Sequence, residues 1–280
     1  MLRMEIVRYE SPCEAREHTQ KYLARDTLRN TLVLTVLDAR IADSQPGRYW
    51  VALESDQVVG VGLQAPLERQ LVLSVMSQDV AAKLATGIAK ESVEFPGVTG
   101  EAQNASRFAG EWAACRRVAA YPIGARRLYE LRSVRPGATT KGAMEHAAPV
   151  HQEIAHEWHT AFLKGTGEST QDALDFVRRR IGAGLVWFWT DDGFKSIATV
   201  SPPVLGGVRF QSVYTPPDYR RKGYAESLVR AVSQQLLGEG FRTMLITDLG
   251  DPIANGVYQR IGYEAAAEMN RPDFPGGPIT

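Results

Sequence analysis

The stretch VYTPPDYRRKGYAESLVRA, residues 213–231, gathers the residue types that hold a phosphate. A β-branched and aromatic run stops at Pro216-Pro217, Arg220, Arg221 and Lys222 follow, then Gly223, and a helical pattern begins at Ala225. A strand that feeds a turn opening a helix presents free backbone N–H groups at the positive end of the helix dipole, where phosphate oxygens are best held. Arg221 and Lys222 add charge there. Gly223 lets the backbone turn, and an anion approach, without a Cβ, and Ala225 keeps the next contact small. The two prolines lack amide hydrogens, so the strand cannot continue its ladder and must part from its neighbour. The splayed strand then offers unpaired backbone groups to an extended ligand. The sequence fits neither the P-loop, which requires Gly, four residues and Gly-Lys-Ser/Thr, nor the three-glycine dinucleotide fingerprint.

A second stretch, DPIANGVYQRIGYE (251–264), places Asn255 and Tyr258 on one face of a short helix that Gly262-Tyr263 ends. Together the two stretches resemble the signatures of the GNAT superfamily of acyl-CoA N-acyltransferases. Arg220, Gly223 and Ala225 match its phosphate-binding pattern Gln/Arg-x-x-Gly-x-Gly/Ala, and Pro217-Asp218-Tyr219-Arg220 stands where that family often carries Pro-Asp/Glu-Tyr-Arg. The resemblance covers residues 138–272. It implies an α/β fold with a mixed, mostly antiparallel sheet flanked by helices and splayed central strands.

The resemblance also implies direct transfer of an acetyl group from acetyl-CoA, in a ternary complex, to an amine on a small molecule or peptide, with no metal. Val213, Tyr214 and Thr215 would lie along the pantetheine arm, the backbone of Val213 and Thr215 pairing with it. Arg220, Arg221, Lys222, Gly223, Tyr224, Ala225 and Glu226 would surround the pyrophosphate, and Asn255 would touch the cofactor. Tyr258, beside the thioester, would protonate the departing thiolate. Two departures, Thr215 for an apolar residue and Ala225 for a second glycine, leave the backbone donors in place. A third concerns the general base: GGVRFQSVY carries no carboxylate, which leaves Asp248, at the end of the following strand, or water. A non-catalytic acyl-CoA-binding regulator is the alternative; it would keep the loop without needing Tyr258.

Other features are weighed against simpler readings. His146, His151, His156 and His159 fall in one segment, but His-Glu-x-x-His is absent, and a solvated helix with neutral imidazoles is expected rather than a metal site. Trp187 and Trp189 alternate with Phe188 and are read as core. Lys+Arg and Asp+Glu both number 32, which removes the general electrostatic argument for nucleic acid or an anionic membrane as partner. Cys13 and Cys115 lack metal-knuckle or redox spacing and are read as core thiols of a cytoplasmic protein. No apolar stretch approaches the roughly 20 residues of a membrane span.

The positioning elements follow from periodicity and turn chemistry. Helix is expected over 12–42, a hairpin over 48–66, a buried strand at 70–76, a helix after the N-cap Ser77, another near 101–118 and a strand at 126–134. The proline- and glycine-containing 135–144 is the expected linker between domains 1–134 and 145–280. Beyond it come helices at 147–164 and 169–181, a hairpin turning at Asp191–Gly193, a strand ending at Thr215, a helix at 225–237, a strand at 241–248, a helix at 252–261 and a last strand near 263–269. The order helix, hairpin, strand, helix occurs twice, which suggests tandem copies of one fold. The first copy reads SQDVAAKLATG where the loop should be, with no basic residue in the turn and Asp79 at the helix start. It is expected to be a degenerate copy that binds no cofactor; burying a face of its neighbour, closing the acceptor site or a homodimer contact are its candidate roles.

Overall fold

The computed structural model describes residues 4–43 and 45–274. The first half of the chain contains β1 (Met4–Tyr9), α1 (Pro12–Leu23), α2 (Thr31–Asp43), β2 (Arg48–Glu54), β3 (Gln57–Gln64), β4 (Leu71–Leu73), α3 (Gln78–Ile88), β5 (Val98–Glu101), α4 (Ala102–Arg116), β6 (Tyr121–Pro122) and β7 (Arg126–Leu131). The second contains β8 (Ala143–His146), α5 (Gln152–Thr166), α6 (Ala173–Gly182), β9 (Val186–Thr190), β10 (Phe194–Val200), β11 (Gly207–Tyr214), α7 (Tyr224–Gly238), β12 (Arg242–Asp248), α8 (Pro252–Ile261), β13 (Glu264–Asn270) and β14 (Pro272–Asp273). This is the mixed α/β class expected, with mostly antiparallel pairing that includes the parallel pairs β4 with β5 and β11 with β12.

The chain forms two compact units. The first takes residues up to Leu128, Asp248–Gly250 and the chain from Ala266 onward; the second takes Tyr129–Thr247 and Asp251–Ala265. In the first unit the strand order is β1-β2-β3-β4-β5, followed by the end of β13, where Met269 and Asn270 pair with Glu101 and Gly100. Its core gathers Trp50, Leu71, Leu84, Phe95, Phe108 and Trp112. The second unit has the order β8-β9-β10-β11-β12, followed by the end of β7. Each unit is thus completed by a strand that chain order assigns to the other half.

Period-two alternation builds the second unit as it predicts. Trp187 and Trp189 join Val208, Leu228, Val232 and Leu245 in the core under α7, while Phe188 and Ile197 point to the opposite face, against Trp158 of α5 and Val177 and Ile181 of α6. A bulge opposite Thr199/Val200 skips Gln211, so Phe210 and Val213 pack towards α7 whereas Ser212 and Tyr214 face α5.

Several expectations are corrected. The helix expected over 12–42 is broken between α1 and α2. There the Asp26 carboxylate accepts the Arg29 amide at 2.9 Å, and Asn30 reaches the Leu23 carbonyl and the Val75 amide. Such side-chain bonds offer the backbone an alternative to the helix. The expected boundary at 135–144 is displaced. Residues 129–134 already belong to the second unit, Thr140 hydrogen-bonds to α7, and Ala143–His146 form the exposed edge strand β8. Pro and Gly there mark irregular backbone, not absence of packing. Cys13 and Cys115 are exposed free thiols rather than core residues.

His159 is not on a solvated face. It is 5% exposed, stacks on Phe176 with ring centroids 4.4 Å apart, and its Nδ1 lies 3.2 Å from Ser212 Oγ. His151 Nδ1 accepts the Ala148 amide and His146 Nε2 accepts the Trp187 indole N–H. Burial, reinforced by the positive charges of His156 and Arg180, pushes the His159 imidazole down to about 4 from 6.5. Below pH 6.5 the unfolded chain therefore takes up this proton first, so stability is highest above 6.5 and falls as the pH drops towards 4, by of order 3 kcal/mol for this group. His159→Phe keeps a stacking ring and removes the titration. Its denaturation midpoint should decline less steeply between pH 7 and 4.5 than that of the parent; parallel declines would show that His159 does not titrate differently on unfolding.

Candidate functional site

The site begins where β11 leaves β12. The two strands pair in parallel at Gly207, Val208 and Arg209, the last partner being Met244, while β11 stays paired with β10 as far as Tyr214. Beyond Arg209 the β12 side of β11 is open. The splay expected from the two prolines is therefore present, and it starts before them. Thr215 next bonds to Ser196 through its hydroxyl and accepts the Arg220 Nε–H on its carbonyl at 3.0 Å, and a short 3₁₀ turn, Pro217–Tyr219, leads into the loop.

Arg221 and Gly223 both have left-handed backbone, with φ of +60° and +82°. Alternating handedness turns successive N–H groups towards one side, the concavity that binds anions. Every amide from Arg221 to Glu226 is without an acceptor among the described residues; the helical ladder starts at Ser227, bonded to Gly223. Three other helices close their starts with a side chain, whereas α4, α5 and α6, like α7, have no side-chain cap. Ser11 caps α1, Ser77 accepts the Val80 amide at the start of α3, and Asp251 accepts the Ile253 and Ala254 amides of α8. At the corresponding place in the first unit, Ser77 takes up one amide of α3 and the first turn carries Asp79.

The basic side chains do not act as a uniform triple. Arg220 is tied to Thr215 and lies over the Tyr214 ring, Lys222 lies 5.8 Å from the Tyr219 ring centroid, and Arg221 is exposed. Tyr224 donates to Asp191 Oδ2 at 3.0 Å. Half-buried Ala225 leaves the helix start narrow. Glu226 is engaged by Arg230 and by Arg260, so among the residues expected around a phosphate it contributes an amide and no free carboxylate.

Tyr258 is half-buried, edge-on to Tyr263 with centroids 5.9 Å apart, and its hydroxyl has no partner among the described residues. Burial first, then the neighbouring Tyr263 and Asp251, pushes its ionisation up, which holds the proton on the hydroxyl at neutral pH. Asn255 differs from expectation. It is buried, its Oδ1 accepts the Tyr129 hydroxyl at 2.9 Å, and its Nδ2 donates to the Asp251 carbonyl at 2.7 Å. These bonds fasten α8 to β7, so Asn255 positions the helix that carries Tyr258. Nothing local in the sequence could have revealed Tyr129, which lies 126 residues away. Asp248 ends β12, is exposed, accepts the Gly250 amide at 2.7 Å and groups with the first unit.

A cleft of about 480 Å³ adjoins the loop, lined by Gly223, Glu226, Ser227, Arg230 and Arg260 on one side and by Pro136–Thr140 on the other. Thr140 donates both its amide and its hydroxyl to Ser227 Oγ, at 3.0 and 3.2 Å. A Cβ on Gly223 would stand 2.7 Å from the Thr140 methyl. Gly223 is therefore required by its φ and by this strap as well as by any ligand.

Residues 205–271 match a family model described as FR47-like protein. No curated protein matches the chain in sequence. In fold it is similar to a GNAT-family acetyltransferase from Colwellia psychrerythraea (TM-score 0.62, 13% identity, covering 96% of this chain and 99% of that one). It is similar also to a GCN5-related N-acetyltransferase from Sphaerobacter thermophilus (TM-score 0.60, 12% identity, 96% and 95%). A third similar structure is a tandem GNAT protein from the clavulanic acid biosynthesis pathway (TM-score 0.57, 11% identity, 98% and 99%). The whole-chain likenesses show a tandem GNAT-like fold, and the FR47-like match falls on residues 205–271 within its second half.

The Tyr129–Asn255 bond gives a direct test of how α8 is held. Asn255→Ala leaves the buried Tyr129 hydroxyl without its acceptor and should cost about 1–3 kcal/mol in urea unfolding. Adding Tyr129→Phe should restore part of that loss, since both partners are then gone; strictly additive effects would mean the bond does not couple the two residues.

Proposed function

We propose that the second unit is an acetyl-CoA-dependent N-acetyltransferase acting by direct transfer to an amine. One observation carries the reading: the row of amides from Arg221 to Glu226, without acceptors among the described residues, opening a helix at the end of a strand that has already parted from its neighbour. The likeness in fold to acetyltransferases supports it. Acetyl-CoA supplies an activated acetyl thioester and a pyrophosphate on an extended arm. The residues present fit such a ligand: amides and Arg221 for the pyrophosphate, and the open β12 side of β11, where Val213 and Thr215 lie, for the arm.

The chain's own contribution is positioning and one proton. An N–H on the open strand would polarise the thioester carbonyl as charge develops on its oxygen. Tyr258, kept protonated by burial, would deliver its proton to the leaving sulfur. The attacking amine, on a small molecule or a peptide, would lose its proton to water, because β11 carries no carboxylate. The first unit, with Ser77 spending its helix donors, would bind no second cofactor.

Calorimetric titration of the whole protein with coenzyme A should give one site per chain; two equivalent sites would overturn the assignment of binding to the second unit alone. Gly223→Val should abolish that binding.

Tyr258→Phe should leave coenzyme A affinity within about twofold while lowering the maximal rate of thiol release with a confirmed acceptor by about 10². Turnover at the parent rate would remove Tyr258 from the proton transfer, and absence of thiol release with every amine tried would favour a regulator that binds the cofactor without turning it over.

A further inference from the structure

The bulge in β11 aims Gln211 at α6. Phe210 pairs with Val200 and Ser212 with Thr199, so Gln211 has no partner opposite it on β10, and a bulge re-aims the side chain it frees. Gln211 Oε1 accepts the Nε–H of Arg180, on α6, at 2.9 Å. The Arg180 guanidinium also lies 4.8 Å from the centroid of the Phe176 ring, which itself stacks on His159 at 4.4 Å. One edge of the guanidinium is thus fixed by a neutral amide and one face by an aromatic ring. Its two Nη groups are not buried and have no acceptor among the described residues, and no carboxylate among those residues pairs with it. The fold has positioned an arginine and left open the two parallel donors that meet a carboxylate.

The surrounding charge favours the same ligand. Burial first, then Arg179, lowers the ionisation of Arg180 to about 10 from 12.5. Burial first, then Arg180, does the same to Arg209 on β11, with Glu168 opposing the shift. Both stay charged at neutral pH, and a negative charge beside them would relieve both. The place matters as well. Gln211 stands on the stretch of β11 that has left β12, two residues, or about 7 Å, before Val213. With the thioester arm along Val213, an amine attacking there has its other groups within reach of Arg180.

We propose that the acceptor is a free amino acid, an amine that also carries a carboxylate, and that Arg180 selects it by binding that carboxylate through its two Nη groups while Gln211 and Phe176 hold the guanidinium in place. The proposal rests on the acetyl-CoA reading above and names the acceptor class for it. The amine nitrogen bonds to the acetyl carbon, the carbon–sulfur bond breaks, and the carboxylate is unchanged.

The test follows thiol release from acetyl-CoA by the full chain with matched pairs of amines. The proteinogenic amino acids are set against the amines they give on decarboxylation, and straight-chain amino acids from glycine to aminohexanoate against alkylamines of the same length. The best carboxylate-bearing member should exceed its partner in kcat/KM by at least about tenfold, the scale of a charge-assisted hydrogen bond. Arg180→Gln should remove that preference, raising KM for the amino acid about tenfold while leaving the amine's constants, and coenzyme A affinity by calorimetry, within about twofold. Arg180→Lys, which returns the charge without the fork, should restore part of the preference. Equal losses for both members of a pair would mark Arg180 as structural and overturn the proposal. A preference for the amine, or turnover of no pair by protein that binds coenzyme A, would overturn it too. Failure of the parent to bind coenzyme A would instead overturn the acetyl-CoA reading, and this one with it.

Discussion

A helix that does not cap itself is the constraint on which the second unit turns. The amides from Arg221 to Glu226 form no bond among the described residues, and such a cluster of orphaned donors must be hydrated or given an anion. The sequence maintains this arrangement against easier ones. A Ser or Asp at position 223 would cap α7 as Ser77 caps α3, but Gly223 takes a left-handed conformation and presses against Thr140, where no Cβ fits. Arg221 takes the same backbone region without a glycine's freedom, a conformation that costs energy in an L-residue. The surrounding fold holds it: Pro216-Pro217 set the entry, Arg220 is anchored to Thr215, and Tyr224 is anchored to Asp191.

The two units differ at the same step of a shared element order. In each, a strand ends and a helix begins beside a parallel neighbour, β4 to α3 and β11 to α7. In the first unit the turn is short, apolar before and capped after, and the helix packs Val80, Ala81, Leu84, Ala85 and Ile88 into its core. In the second, a 3₁₀ turn, three basic residues and a glycine intervene, and the start of the helix stays solvated. One architecture has been kept for packing in one place and for donors in the other.

Much of this was legible in the sequence because its signals are local. Pro216-Pro217, the basic run, Gly223 and the Asn255/Tyr258 spacing all act within a turn or two of where they stand, and the hairpin at Asp191–Gly193 follows from the same kind of short-range chemistry. What was missed depends on partners far along the chain. Tyr129 holds Asn255, Ser212 meets His159, and Thr140 lies on Ser227; none of these pairs leaves a local pattern. Short strands were also invisible. β5 has four residues, and β8, with four, is largely exposed and lacks the alternation that marks a half-buried strand. The Glu226/Arg230 pair was readable as a helical i,i+4 contact, but the approach of Arg260 to the same carboxylate was not.

The exchange of final strands has a consequence for how such a protein can be inherited. Were the chain severed at 135–144, the amino-terminal piece would keep β7, whose end belongs to the other unit, and would lose β13, leaving Gly100 and Glu101 of β5 without partners at an open sheet edge. The carboxy-terminal piece would lack the Tyr129 that clasps Asn255 and steadies the helix bearing Tyr258. Neither half is therefore a transferable cassette. A cut that spares both units would have to follow the exchanged strands rather than the chain's midpoint, so the gene segment for either half is not a self-contained unit of the fold.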